Sequence, residues 1–400
     1  MFERIYFDHS ATTPVDPRVI EAMMPFLTSN FGNASSVHFY GQRARAAIDK
    51  ARHQTANLIN ARPNEIVFTS GGTESNNLAI RGWVEANRRH GNHVITSSIE
   101  HSSVRAVLEE LEKNGLEVTR LPITLDGVVR VEDVERAIRE DTILISLMTV
   151  NNEVGTIQPV NEVGAMVKEL RANGRKIRFH TDSVQAAGKI AVDVESVRCD
   201  MMTISGHKIN APKGIGALFV RRGTRLHPQN IGGRQERGVR GGTESVANIV
   251  AFGEAAEIAA TERIENEERI RKLRDRFEIG ILGSISDVEF NCRHDRRIAN
   301  ISNVSFRNIE GEGLLINLDM LGIAVSTGSA CSSGSLEPSP IIRALGREDA
   351  LARGAIRFSF GNTNTDEEVE RLLEVLPTAV ANLRKLSPAF SNARLTAVDR

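Results

Sequence analysis

The sequence predicts an α/β fold, with a large domain built on a mostly parallel sheet covered by helices and a smaller α/β domain beside it. Short apolar runs alternate with amphipathic helical patterns through the middle of the chain. The runs are apolar almost throughout, as strands buried on both faces are. A long charged stretch then separates this region from one with a different strand pattern.

EIVFTS reads as a buried strand and stops at Gly71-Gly72-Thr73-Glu74, where the helical pattern NNLAIRGWVEANRRH begins. HVITSSI is the next strand, followed after Glu100-His101 by the helix SVRAVLEELEKNG. EVTRLPI, TILISLMTV, IRFHTD, MMTISG and GALFVRR continue in the same rhythm, with VNEVGAMVKELRANG among the intervening helices. In such sheets ligands bind beyond the carboxyl ends of the strands. Thr73, His101, Asn152, Asp182 and His207-Lys208 all follow predicted strands, so one sheet edge collects polar clusters. ATERIENEERIRKLRDRFEIGILGSI reads as a solvated surface helix and marks a boundary. Beyond it, VEFNC, IANISNVSF, IAVSTG and AIRFSFG suggest strands of the smaller domain, closed by the helix DEEVERLLEVLPTAVANLRKL. The expected division is a large domain over 16–260, a small domain from 1–15 and 261–386, and a tail over 387–400.

Lys+Arg 50 against Asp+Glu 51 gives a net charge of −1, which offers no electrostatic case for nucleic acid or an acidic membrane. The N-terminal MFERIYFDHSATTP is charged and lacks the apolar centre of a signal peptide. No stretch approaches the roughly 18–20 apolar residues of a membrane span. The three cysteines, Cys199, Cys292 and Cys331, form no C-x-x-C pair, which disfavours a disulfide framework and a structural zinc site. The expected setting is the cytoplasm, where a free thiol can act as a nucleophile.

Each polar cluster permits a plain reading and a chemical one. Lys208, in SGHK, either ends a strand in solvent or supplies a Schiff-base amine, with Ser205 and His207 suiting an anion. Gly72 and Thr73 open a helix either as an ordinary cap or as a phosphate cradle. Asp182 either caps the next helix or holds a pyridine nitrogen protonated, with Gln185 placed to reach a phenolate oxygen. His101 is either a surface cap or a ring-stacking proton carrier. Asn152 forms a turn or meets a cofactor or a substrate carboxylate. Arg357, alternating with apolar residues in AIRFSFG, is a structural ion-pair partner or a bidentate carboxylate clamp. Thr243 ends a charged, glycine-rich loop that is either plain surface or an arm reaching a phosphate. Cys331, among Gly and Ser in STGSACSSGSLEPS, reads as an accessible, reactive thiol; Cys199 and Cys292 read as structural.

Together the ordered motifs FDHSATTPVDPRV, FTSGGTESNN, EHSSV, NNEVGTIQP, HTDSVQAAGK, SGHKINAPKGIGALFV, GGTES, STGSACSSGSLEPS and IRFSFG resemble the cysteine desulfurases of the NifS/IscS group, which are pyridoxal-phosphate enzymes of fold type I. The resemblance implies that Lys208 carries pyridoxal 5'-phosphate and removes the substrate α-proton. Asp182 would bind the pyridine nitrogen, Gln185 the phenolate oxygen, and His101 the ring face. Gly72, Thr73, Ser205 and His207 would bind the phosphate, with Thr243 reaching it from the other subunit of a homodimer. Asn152 and Arg357 would hold the carboxylate of L-cysteine. Cys331, in a loop of the small domain, would take the sulfur as a persulfide, leaving alanine. An iron–sulfur scaffold or another sulfur-acceptor protein is the implied partner.

RQERGVRGGTES and LRKLSPAF look closer to the nitrogen-fixation branch, and the Cys331 context matches the group with the long cysteine loop. His9-Ser10, Ala34 and Gly206 depart from the usual residues without removing a catalytic group. The alternatives are a selenocysteine lyase or other pyridoxal-phosphate β-lyase, and a non-catalytic scaffold of the same fold.

Overall fold

The computed structural model describes residues 4–293, 295–328 and 338–386. After a short strand β1 (Ile5–Tyr6) and helices α1 (Pro17–Leu27) and α2 (Phe39–Leu58), the chain alternates strands and helices. The strands are β2 (Ile66–Thr69), β3 (His93–Ser97), β4 (Glu117–Leu121), β5 (Thr142–Met148), β6 (Arg178–Asp182), β7 (Met201–Ser205) and β8 (Gly216–Val220). The helices are α3 (Gly72–Asn87), α4 (Ser102–Lys113), α5 (Val131–Ala137), α6 (Val160–Ala172) and α7 (Val194–Val197). The seven strands form one sheet in the order β2-β8-β7-β6-β5-β3-β4.

All neighbours in this sheet are parallel except those of β8, which runs antiparallel to β2 and β7. The sequence rhythm did not reveal this reversal. The link over 206–215 holds only a 3-10 turn. A parallel return needs a crossover of a dozen or more residues.

Alternate residues of the strands feed two cores. Ile66 and Phe68 pack on one face with Ile48 of α2 and Val163 of α6, whereas Val67 packs on the other with Leu78 and Trp83 of α3. This two-sided burial explains the continuous apolar runs.

Helix α8 (Val246–Ser284), 39 residues long, covers the first of these faces with Ile249 and Phe252. Its second half corrects the expectation of a surface helix: Ile270, Leu273, Phe277 and Ile281 are buried in a further core. Their helical spacing makes a narrow apolar stripe that charged residues dominate in sequence. Two charges are buried with it, and Glu278 pairs with Arg297 at 2.6 Å.

That core is completed by β9 (Val288–Phe290), β10 (Ile301–Phe306), α9 (Gly311–Met320), β11 (Ile323–Ala324), β12 (Ala355–Ser359) and α12 (Asp366–Leu386), while α10 (Pro340–Ala344) and α11 (Asp349–Ala352) pack in a separate cluster with Ile99 and Met148. Strands β12, β10 and β9 form an antiparallel sheet, and β1 pairs in parallel with β11. Phe7 packs into this core, and Ser10 N donates to Ser359 Oγ at 2.9 Å. The chain's beginning is thereby laid along β12 and delivered to the large sheet's edge. The expected tail over 387–400 lies outside the described residues.

Candidate active site

A cavity of about 340 Å³ opens beyond the carboxyl ends of β2, β3, β5, β6 and β7. It brings together ten of the residues singled out in the sequence: Gly72, Thr73, His101, Asn152, Asp182, Gln185, Ser205, His207, Lys208 and Arg357. Thr243 is exposed and does not line it. Cys331 lies outside the described residues; Gly328, described before it in the chain, lines the cavity.

The β2–α3 turn works because Gly71 has φ +148° and ψ −174°, a region open to glycine alone. Gly216 is pressed against it: a Cβ there would stand 2.7 Å from Gly71 Cα. Helix α3 has as its N-cap Gly71, which has no side chain to bond the N–H groups of the first turn. Its first N–H groups therefore face the cavity at the positive end of a 16-residue helix. Glu74, in the same turn, is neutralised by Arg240 at 2.8 Å. Ser205 Oγ is buried on the cavity wall without a hydrogen-bond partner among the described residues.

Asp182 ends β6. Its Oδ1 accepts from Val184 N at 3.0 Å, so it makes the local bond of a capping residue while its carboxylate faces the cavity. Its Oδ2 accepts from Asn76 Nδ2 at 2.8 Å. Asn76 Nδ2 also donates to Ser103 Oγ at 2.8 Å. Ser103 Oγ lies 2.8 Å from His101 Nδ1, and Ser103 N donates to that nitrogen at 3.2 Å. With Nδ1 accepting, a neutral His101 carries its proton on Nε2. Burial holds His101 below its usual range, with Asp182 opposing and Lys208 reinforcing the shift. Burial also drives His207 down to about 4, helped by the charge of Lys208.

Lys208 closes the 3-10 turn after β7 and does not simply point to solvent. Its Nζ donates to the carbonyl of Ala11 at 2.7 Å and to that of Ser10. Gln185 Nε2 donates to the same Ser10 carbonyl at 2.9 Å. Arg357 is 2 % exposed, pairs with Asp8 at 2.7 Å and donates from Nη1 to the Asn152 carbonyl at 2.9 Å. Two of its five N–H groups are thus engaged, and Nε has no partner among the described residues.

Sequence reasoning missed Asn76, Ser103, Asp8 and the carbonyls of Ser10 and Ala11. Asn76 had a signal, since asparagine is disfavoured inside helices, yet it is fully buried there. Backbone carbonyls carry no sequence signal. Cys199 and Cys292 are buried, and burial raises both thiols, Cys292 to about 12.

The aminotransferase class-V family model matches residues 5–372. A cysteine desulfurase IscS 1 of Archaeoglobus fulgidus is 49% identical over 385 residues, spanning 96% of this chain and 99% of that protein. A solved NifS-like protein has a TM-score of 0.88 at 36% identity, covering 95% of this chain and all of its own. The solved SspA in complex with cysteine has a TM-score of 0.78 at 36% identity, covering 89% of this chain and 98% of its own.

Proposed function

We propose, on the premise that this chain belongs to the class-V aminotransferase family and within it to the cysteine desulfurases, that it converts L-cysteine to L-alanine with pyridoxal 5'-phosphate and stores the sulfur as a persulfide on Cys331. The observation that carries the reading is one cavity faced by Lys208, by the Asp182 carboxylate and by a helix start with Gly71 as its N-cap.

The residues present fit the cofactor. The unpartnered Ser205 hydroxyl, the free N–H groups of Gly72 and Thr73, and His207 make a donor set for a phosphate. Asp182, held by Asn76, would bind the pyridine nitrogen; Gln185 would donate to the phenolate oxygen; His101 would lie against the ring. Lys208 would hold the aldehyde carbon through Nζ. When bound, the cofactor's protonated ring withdraws electrons from the substrate α-carbon and acidifies its C–H bond.

The chain's own groups then divide the work. Arg357, through the N–H groups left by Asp8 and Asn152, and the Asn152 side chain would orient the substrate carboxylate. Lys208 Nζ would take the α-proton. The Cys331 thiolate would attack the substrate sulfur: an S–S bond forms, the Cβ–S bond breaks, and its electron pair passes to Cβ. His101, with its proton on Nε2, would protonate that carbon. Lys208 would return the proton to Cα, alanine would leave, and the outer sulfur of the persulfide would pass to an acceptor protein, with an iron–sulfur scaffold as the expected recipient.

The functional unit in this reading is a homodimer. Thr243, exposed and away from its own cavity, would reach the other subunit's phosphate site. The exposed Phe31, Val37, Phe39 and Tyr40 supply apolar surface for such a contact. We read 16–260 as the large domain and 1–15 with 261–386 as the small one, supported by separate cores around Phe179 and Phe358. A thiol shuttle suits the reducing cytoplasm. Among the described residues no helix is long and apolar enough to cross a membrane.

Colour is the simplest test. The purified protein should bind pyridoxal phosphate and be yellow, and Lys208→Ala should abolish the covalent chromophore. A wild-type protein that cannot take up the cofactor would overturn the reading.

A further inference from the structure

We infer that Lys189 is a positioning residue that fixes the Gln185 carboxamide with its N–H side toward the cavity. The inference rests on the proposed cofactor reading and concerns a residue outside the main cavity.

Lys189 Nζ donates to Gln185 Oε1 at 2.7 Å. That oxygen is its one hydrogen-bond acceptor among the described residues. On the other side, Gln185 Nε2 donates to the Ser10 carbonyl at 2.9 Å. A carbonyl can only accept and a protonated Lys189 can only donate, so while Lys189 is charged both neighbours demand the same amide orientation. Without Lys189 the buried Oε1 would lose its donor, and the amide would be free to rotate away from the Ser10 carbonyl. One amide hydrogen remains uncommitted, on a side chain that is 5 % exposed and lines the cavity. An amide turned the other way would present its oxygen to a phenolate and repel it.

The link continues to the reactive lysine. Lys208 Nζ shares the Ser10 carbonyl with Gln185. Lys189 and Lys208 also line one small cavity of about 50 Å³ behind the site. Keeping a second amine there is costly: burial and the charges of Lys208 and Arg357 pull Lys189 down to about 7. Apolar residues would fill this space without that cost. Its retention is explained if its contact with Gln185 has a use.

The test is a double-mutant cycle on the holoenzyme, reading the dissociation constant for pyridoxal phosphate and the visible spectrum of the bound cofactor. Lys189→Met and Gln185→Leu should each weaken cofactor binding by about tenfold and shift the absorption maximum. The double variant should be no weaker than the worse single one, because both remove one device. Lys189→Arg, which can still donate to Oε1, should stay within about threefold of wild type. If Lys189→Met fails to fold, Lys189→Gln takes its place; its amide can donate or accept, so the loss should fall between those of Met and Arg. Additive losses, or a Lys189→Met protein with unchanged affinity and spectrum, would overturn the inference. A wild type that takes up no cofactor would instead overturn the reading beneath it.

Discussion

Asn76 donates to the Asp182 carboxylate at 2.8 Å from the interior of helix α3. Its second N–H reaches Ser103, which bonds His101 Nδ1. One buried amide therefore links the Asp182 carboxylate to the His101 imidazole through Ser103.

Asn76→Ala should leave Asp182 Oδ2 and Ser103 without that donor, a loss of about 1–3 kcal/mol. Steady-state kinetics with L-cysteine should show kcat/KM lower by about tenfold to a hundredfold. An unaltered value would remove Asn76 from the site.

Gly71→Ala should be costly because φ +148° is closed to alanine, at about 1–3 kcal/mol of strain. The melting midpoint should fall and cofactor affinity should fall with it, as the α3 start shifts. Full retention of both would mean that the turn does not shape the phosphate site.

Arg357→Lys keeps the charge but loses the planar fork. KM for L-cysteine should rise by about tenfold or more, with cofactor affinity nearly unchanged. Equal losses in both would assign Arg357 to the cofactor or to folding through its Asp8 pair.

Glu100 gives a pH prediction. Burial raises its carboxyl to about 8, against the ordinary value of 4.5 in the unfolded chain. Between those values the unfolded state releases a proton that the folded state keeps. Stability from this group therefore falls as pH rises, by about 1.4 kcal/mol per pH unit. Glu100→Gln mimics the protonated form, whose Oε1 accepts from Met148 N at 3.0 Å. Its melting midpoint should match wild type near pH 4 and exceed it progressively toward about pH 8; parallel curves would contradict this.

The sheet and the site edge were legible because strands buried on two faces write themselves as apolar runs. Asp182 and Lys208 were legible as polar groups at the ends of such runs. The reversal of β8 was hidden, since strand direction depends on the connection and not on the strand's own residues. The buried stripe of α8 was hidden by the charges around Phe277 and Ile281. Lys208 illustrates the remaining gap: its partners are the carbonyls of Ser10 and Ala11, almost two hundred positions away, and no side-chain pattern records them.

The central claim is that Cys331 takes the sulfur while Lys208 opens the Cα–H bond. The direct measurement is alanine formation from L-cysteine by wild type and Cys331→Ala, with peptide mass spectrometry of the wild-type protein. Alanine should form with wild type, one added sulfur atom should appear on the Cys331 peptide, and the variant should stay yellow yet make no alanine. Undiminished alanine formation by Cys331→Ala would contradict the account.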